Sequence, residues 1–434
     1  VVSFIKVSWI AKECAVSDVS SSVTADEPVL EVPPPSASQH GTASPQHLLI
    51  IMAAVFMVSA EARVIAPILP ALAGAFETTV ARTGLLITAY TIPYGVFQIV
   101  YGPLADRFSR QRVMGFALGL FAIGTFVSGF APNFLTLTVL RFCTGAAAAG
   151  VIPVALAYVG DAVPYANRQA TLGRVVSIAA LAGVLSAALG GIIATVASWR
   201  TLFLGYGVVA LVVAWGLLRT PVKRARVALP PRQGLLAPYR TIFQQAGARA
   251  YALYTLVFIE GVTATSTIGY LGALLFERDH LSYAMIGALL MLSGIASMVT
   301  ARFVGQLVAR VGERRMLLLG GTCLTIAYML VGIRPTFVYF PLAMLISGAG
   351  FVIAHSTLQA RATELVPTMR GTAVAIFAFA LFLGGGLGTY LAGIMIEYWG
   401  FAVTLYGTAA ALALFTLSSW PLLRIVQRHG GSTG

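Results

Sequence analysis

The sequence predicts an all-α membrane protein, twelve transmembrane helices in two pseudo-symmetric six-helix bundles. Three observations predict it: composition, the length of the apolar runs, and a repeat between the halves. Of the 434 residues, 58% are hydrophobic and 10% charged, and mean hydropathy is +0.87. A soluble domain carries about 25% charged residues, so these side chains could not cover an aqueous surface and the bilayer must be most of the solvent. A net charge of +13 would suggest nucleic acid in a soluble chain, where a clustered basic face meets phosphate. Here the basic residues fall in small groups between apolar runs, so membrane lipid is the expected partner and nucleic acid is not.

Residues 1–46 are rich in Ser, Thr, Val and Pro, with Pro33, Pro34 and Pro35 in succession and no sustained period. They read as a disordered cytoplasmic tail. The first ten are apolar but broken by Lys6, and no small-residue cleavage site follows, so no signal peptide is expected. From His47 onward come apolar runs of roughly 18 to 26 residues, the length an α-helix needs to cross about 30 Å of hydrocarbon. Twelve spans are expected, at 48–70, 83–102, 113–131, 135–160, 172–196, 201–219, 251–275, 283–304, 316–333, 337–360, 372–396 and 402–423. The first six make an N-terminal bundle, 47–219, and the last six a C-terminal bundle, 251–427. The Pro-rich, basic stretch 220–250 is the expected cytoplasmic linker.

Charge placement orients the chain. With the N-terminus inside, the cytoplasmic loops and tail hold 20 Arg and Lys residues, against 4 on the other side, Arg82, Arg200, Arg278 and Arg334. Both termini are therefore expected to be cytoplasmic, with the protein in the cell (inner) membrane. The halves also repeat: at an offset of 203, Gly102 meets Gly305, Arg107 meets Arg310, Arg112 meets Arg315, Pro132 meets Pro335, Asp161 meets Glu364 and Gly183 meets Gly386. Two bundles in parallel repeat put a substrate site at their interface, near the midplane.

Several function classes drop out. Lysine occurs only at Lys6, Lys12 and Lys223, none preceded by Gly, so no Gly-Lys phosphate loop can be written and ATP hydrolysis is not expected. Cys14, Cys143 and Cys323 give neither a disulfide framework nor Cys/His metal spacing. There is no His-Glu-x-x-His and no Gly-x-Ser-x-Gly, which disfavours an intramembrane enzyme, and the central loop is too short for a receptor's signalling domain. No cofactor and no metal are expected.

Span 2 ends in Gly102-Pro103-Leu104-Ala105-Asp106-Arg107-Phe108-Ser109-Arg110-Gln111-Arg112, and a degenerate copy runs from Gly305 to Arg315. Span 4 carries Arg141 followed by Gly145, then Asp161-Ala162-Val163-Pro164 and Arg168, and span 1 carries Ala66-Pro67-Ile68-Leu69-Pro70. From His47 to about Gln427 the chain resembles the major facilitator superfamily, and within it the twelve-span drug:proton antiporter branch. Two positions depart: Ser109 replaces the usual glycine, and Ser186-Ala187 in span 5 stand where the antiporter motif has Gly-Pro. The resemblance implies a gating motif of Gly102, Asp106, Arg107, Arg110, Asp161 and Arg310. Gly102 lets a helix end approach its neighbour closely, and Asp106 suits the positive N-terminus of another helix, which the family implies is span 11 near Gly371. Ala309 at the equivalent place makes the charged latch one-sided.

A charge at a helix centre costs about 2.5–3.5 kcal/mol even on a lenient scale, and only Glu61 and Glu260 place carboxylates there, 199 residues apart in spans 1 and 7. From Glu260, Thr263, Thr267 and Tyr270 continue on one helix face, as a cavity wall would; the alternative is a structural carboxylate bonded to a neighbouring span. Arg141 differs from Glu61 in depth by roughly 5 Å, so an ion pair is feasible. Arg63, about 200° around the helix from Glu61, cannot share its cavity and is read evenly as functional or as snorkelling outward. Tyr90, Tyr94, Gln98 and Tyr101 form a polar aromatic stripe on span 2, either packing or a ligand wall. His355 belongs to a residue type that titrates in the useful range, and its alternative role is a helix-helix hydrogen bond.

The proton-coupling and substrate-cavity set is thus Glu61, Arg141, Glu260, Thr263, Thr267, Tyr90, Tyr94 and His355. The expected activity is secondary active transport of a small-molecule substrate by alternating access, in a monomer that uses protons as coupling ion and exports drugs or metabolites. An uptake symporter or uniporter is the alternative.

Overall fold

The computed structural model describes residues 44–220 and 237–427, without the side chains of Asp106, Tyr165 and Gln427. The expected tail up to residue 43 and the linker from 221 to 236 lie outside the described residues. Among the described residues the secondary structure is helical, with no strand. Among the described residues eleven stretches are long and apolar enough to cross a membrane, and the last, Pro367–Val426, holds two helices joined at Gly400. There φ is 78° and ψ is 174°, a conformation that a residue with a Cβ resists. The spans are Pro45–Ala75, Val80–Ala105, Arg110–Ser128, Phe134–Ala162, Ala166–Val196, Trp199–Arg219, Ala248–Asp279, Tyr283–Ala301, Glu313–Val331, Thr336–Leu365, and the stretches before and after Gly400. With twelve crossings, both described ends lie on one face of the membrane.

On the opposite face the loops are short, and the helices returning from it open on capping side chains. Thr79 accepts from the Arg82 amide (3.2 Å), Asn133 from Thr136 (2.8 Å), Ser198 from Thr201 (3.4 Å) and Ser282 from Met285 (3.4 Å). Each satisfies an N–H that a helix start leaves without an intrahelical partner. Spans 1 and 7 break at equivalent depths, into short 3-10 turns at Ala66–Ile68 and Thr267–Tyr270. Pro67 removes a backbone donor in the first. In the second, Thr265 donates to the Gly261 carbonyl (2.8 Å) and Ser266 to Thr263 (3.3 Å), the side-chain back-bonding that bends helices.

The expected linker contains a helix, Ala237–Ala246, whose Ile242 and Ala246 are buried against the C-terminal core. Two apolar residues four apart are enough to seat it, a pattern that the surrounding proline and arginine obscure. Its Tyr239 hydroxyl donates to the Ile99 carbonyl of span 2 (3.0 Å).

Toward the face that carries the chain ends, the apolar core is double. One cluster, with Ile51, Val55, Met114, Val154 and Leu217, belongs to spans 1–6, and another, with Leu253, Val257, Leu358, Phe377 and Leu423, to the second half. Toward the opposite face the clusters are shared: Val64, Ile68 and Trp199 pack with Tyr270 and Ala392, and Ala187 packs with Leu271, Ile286 and Leu405. Spans 5 and 8 touch backbone to backbone there, since a Cβ at Gly191 or Gly287 would collide with the main chain of Tyr283 or Ala187. Thr79 donates to Glu397 (2.6 Å), the Ala284 amide to Thr195 (3.1 Å) and Thr88 to the Gly386 carbonyl (3.1 Å), while the Tyr270 hydroxyl lies 3.2 Å from both the Ala81 and Thr389 carbonyls. The halves are joined away from the chain ends and hold separate cores near them.

Candidate functional site

Span 1 carries Glu61, fully buried, into contact with Arg141 of span 4, which is 1% exposed; the two form an ion pair through Glu61 Oε1 and Arg141 Nη1. Arg141 also donates from Nε to the Leu86 carbonyl (3.5 Å) and lies with Cζ 4.2 Å from the centre of the Tyr90 ring, a cation-π contact. The Tyr90 hydroxyl is beside the same carboxylate without forming a hydrogen bond of good geometry. Tyr94 stacks on Tyr90 at 6.0 Å and meets Phe382 of span 11 edge-on at 4.6 Å. Ser186 of span 5 donates to the Ala60 carbonyl. The charge pair is thereby enclosed by spans 1, 2, 4 and 5, inside the first half.

In the second half, Glu260 of span 7 is also fully buried, and its Oε1 lies 3.3 Å from Nδ1 of His355 on span 10. Neither carboxylate oxygen nor that ring nitrogen has a hydrogen bond of good geometry. Around them are apolar rings: His355 stacks on Phe351 at 5.0 Å and meets Phe377 edge-on at 5.2 Å. Buried polar groups are nearly always satisfied in native proteins, so an acid and a base left facing each other in apolar surroundings call for a chemical reason. The His355 side chain is 21% exposed, which gives the pair an opening.

Thr263, Thr267 and Tyr270 form no open cavity wall with Glu260, because span 7 leaves the α-helix after Ala264 and their hydroxyls turn to different neighbours. Their exposures are 5%, 1% and 1%. Thr263 donates to the Ile259 carbonyl (2.8 Å), and the Thr267 hydroxyl pairs with Thr408 of span 12 (2.7 Å). A hydroxyl on a helix can satisfy itself on its own backbone, so polar spacing alone does not mark a wet surface. Tyr90 and Tyr94 are likewise buried, at 3% and 7%. Arg63 is the exposed charge of span 1.

At the chain-end face, Arg110 pairs with Asp161 at 2.9 Å and donates to the Ala157 carbonyl. The positions 203 residues on are Glu313 and Glu364, both acidic, and Arg361 bridges them, with Nε 2.6 Å from Glu313 and Nη1 3.4 Å from Glu364. Sequence reasoning missed Arg361; the signal was its i,i+3 spacing to Glu364 and the sign reversal from Arg110 to Glu313. Arg107 and Arg310 are exposed, and the Asp106 side chain lies outside the described residues. Gly102 makes no close helix contact: a Cβ there would meet only the Tyr239 hydroxyl, at 3.9 Å. A 420 Å³ cavity between spans 1, 4 and 5 is lined by Leu48, Val163, Asn167, Thr171 and Arg174 and reaches neither buried carboxylate. Among the described residues no three His, Cys, Asp or Glu side chains gather as a metal site would require.

Comparison with known proteins places this geometry. A family model described as Major Facilitator Superfamily matches residues 51–389 and 253–433. The MFS-type transporter YceJ of Bacillus subtilis (strain 168) is 25% identical over 353 residues, covering 80% of this chain and 88% of the relative. A chloramphenicol resistance protein of Pseudomonas aeruginosa is 26% identical over 383 residues, covering 85% and 87%. The crystal structure of a D-xylose-proton symporter superposes with a TM-score of 0.71 at 15% identity, covering 86% of this chain and 97% of that one.

Proposed function

The chain belongs to the Major Facilitator Superfamily, a family of transporters rather than enzymes, and from that premise we propose that it is a proton-coupled exporter of small molecules. It is a multi-pass membrane protein. It works by alternating access as a monomer in the bacterial inner membrane, with residues 47–219 and 251–427 as the two rocking bodies. The preponderance of Arg and Lys at the chain-end face, 20 against 4, supports cytoplasmic termini.

The observation that carries the reading is the Glu260–His355 pair, 3.3 Å apart and otherwise unsatisfied. A carboxylate and an imidazole that face each other without other partners are an acid–base couple able to pass a proton between them. The 21% exposure of the His355 side chain gives that couple a way out to the solvent, as a coupling site requires. Arg110 with Asp161, and Asp106 and Arg107 by family likeness, guard the cytoplasmic gate. The chloramphenicol-resistance relative supports export.

The test is flux of a compound panel, driven by a pH gradient, into liposomes containing the pure protein. Glu260→Gln should abolish pH-driven flux and leave exchange of substrate down its own gradient; surviving pH-driven flux in that variant would falsify the assignment. A second reading, uptake by symport or uniport, has one specific support: Ser186 ties span 5 to the Ala60 carbonyl of span 1 at the place where an antiporter has Gly-Pro. Accumulation of substrate on the same side as the protons would select it.

A further inference from the structure

Arg63 is left over from every network described above. The nearby carboxylate, Glu61, is taken by Arg141, and Glu260 faces His355. Among the described residues Arg63 makes no hydrogen bond and no ion pair, and its side chain is exposed.

It nevertheless rests against protein. The Arg63 side chain lies over Gly183 of span 5, where a Cβ would sit 3.2 Å from Arg63 Cδ, 3.3 Å from Nε and 3.4 Å from Cζ. The outward stripe of span 5 is Leu181, Leu185, Leu189, Ile192 and Val196, all at least 36% exposed. Gly183 is two residues from Leu181 and from Leu185, about 200° around the helix, so it faces away from that stripe. It shares its face with Ala187, one turn on, which packs against Gly287 of span 8. Arg63 therefore lies on the side of span 5 that turns toward span 8, where its side chain stays exposed. Phe56 and Ser59, seven and four residues earlier, share its face of span 1.

An uncompensated arginine at such a depth is costly. Its planar fork of five donors suits the oxygens of a carboxylate, sulfonate or phosphate, and it stays charged throughout the physiological range. We infer that Arg63 is the docking point for an anionic group of the transported molecule, so that the substrate class is organic anions. The missing side chain at Gly183 gives the guanidinium its resting place.

This rests on the transport reading but is tested apart from it, by melting of the purified full chain in uncharged detergent. The probes are benzoate, benzenesulfonate and phenyl phosphate, with benzamide as the neutral control. At least one anion should raise the melting temperature while benzamide does not. Arg63→Gln should need roughly tenfold more anion or beyond for the same rise, with Arg63→Lys intermediate and Gly183→Val weakened although the charge remains. No response to any of the three anions, an equal response to benzamide, or an unchanged response in Arg63→Gln each overturns the inference. Stabilisation by phosphatidylglycerol alone would assign Arg63 to lipid and overturn it too.

If Arg63→Gln does not fold, reactivity decides. With Cys14, Cys143 and Cys323 replaced by Ala and Phe56 by Cys, a sulfonate-bearing methanethiosulfonate should react faster than its trimethylammonium analogue, and equal rates overturn the inference. Arg63-dependent anion binding without flux of any compound would sink the transport reading and keep the site. Proton-driven flux of neutral compounds, unaffected in Arg63→Lys and without any anion response, would do the reverse.

Discussion

Glu61 and Glu260 occupy near-equivalent places in the two halves, 199 residues apart, yet each is matched with a different kind of base. Glu61 meets an arginine, and the pair is closed off by Tyr90, Tyr94 and Ser186. Glu260 meets a histidine whose side chain is partly open. One half has a strut and the other a switch. The lesson is that the repeat keeps position more readily than chemistry: equivalent helical positions before the bends of spans 1 and 7 bring a carboxylate into each core, and the residue on the facing span determines what it does. The chain-end network shows the same divergence, Arg110–Asp161 in one half becoming Glu313–Arg361–Glu364 in the other.

The largest expected effect is on the strut. Breaking a buried pair by removing one partner costs about 3–5 kcal/mol, because a charge is left uncompensated. Glu61→Ala and Arg141→Ala should each lower the melting temperature severely, while the double variant loses less than the sum. Simple additivity in that cycle would mean the two side chains do not act together. The same cycle on Glu260 and His355 should show weaker coupling, and equal coupling in the two halves would erase the distinction between them.

Next in size is the separation of coupling from exchange. Glu260→Gln should lose only the pH-driven component, measured in the same liposomes, whereas Glu61→Gln should lose both in proportion to the folded protein recovered.

A smaller effect concerns the joined face. Tyr270→Phe removes a hydroxyl that lies 3.2 Å from carbonyls of spans 2 and 11. At about 0.5–1.5 kcal/mol for a hydrogen bond, the population opened on that face should rise by roughly two- to tenfold. Spin labels at Glu77 and Tyr398 should report it as a longer distance component.

The smallest is at the chain-end face. Asp161, with a side chain 55% exposed, should cost about 1 kcal/mol or less as Asp161→Asn. Arg361→Gln should cost more, since it leaves Glu313 and Glu364 without the cation between them. Melting temperatures that rank the two variants the other way would make the networks equivalent.

Much of the site was legible in part. The depth of Glu61 and Arg141 along their spans follows from 1.5 Å per residue, so their meeting could be anticipated. The Glu260–His355 contact could not, because it depends on the crossing of spans 7 and 10, and rotation about a helix axis is set by packing. Thr263 and Thr267 misled for the same reason: their spacing defines a face but not which neighbour it meets. Arg63 was ambiguous until Gly183 located it.

The sequence by itself determined the solvent, the number of crossings and the register of the repeat, because apolar length against bilayer thickness and charge at the loops are properties of the chain read one residue at a time. Only the tertiary structure decided which carboxylate is sealed with a permanent cation, which faces a titratable base, and which arginine is left open between the halves. Those outcomes depend on how twelve similar helices rotate and tilt against one another. That choice is made by the summed packing of small residues such as Gly191, Gly287 and Gly183 against distant partners, and no local pattern in the chain encodes it.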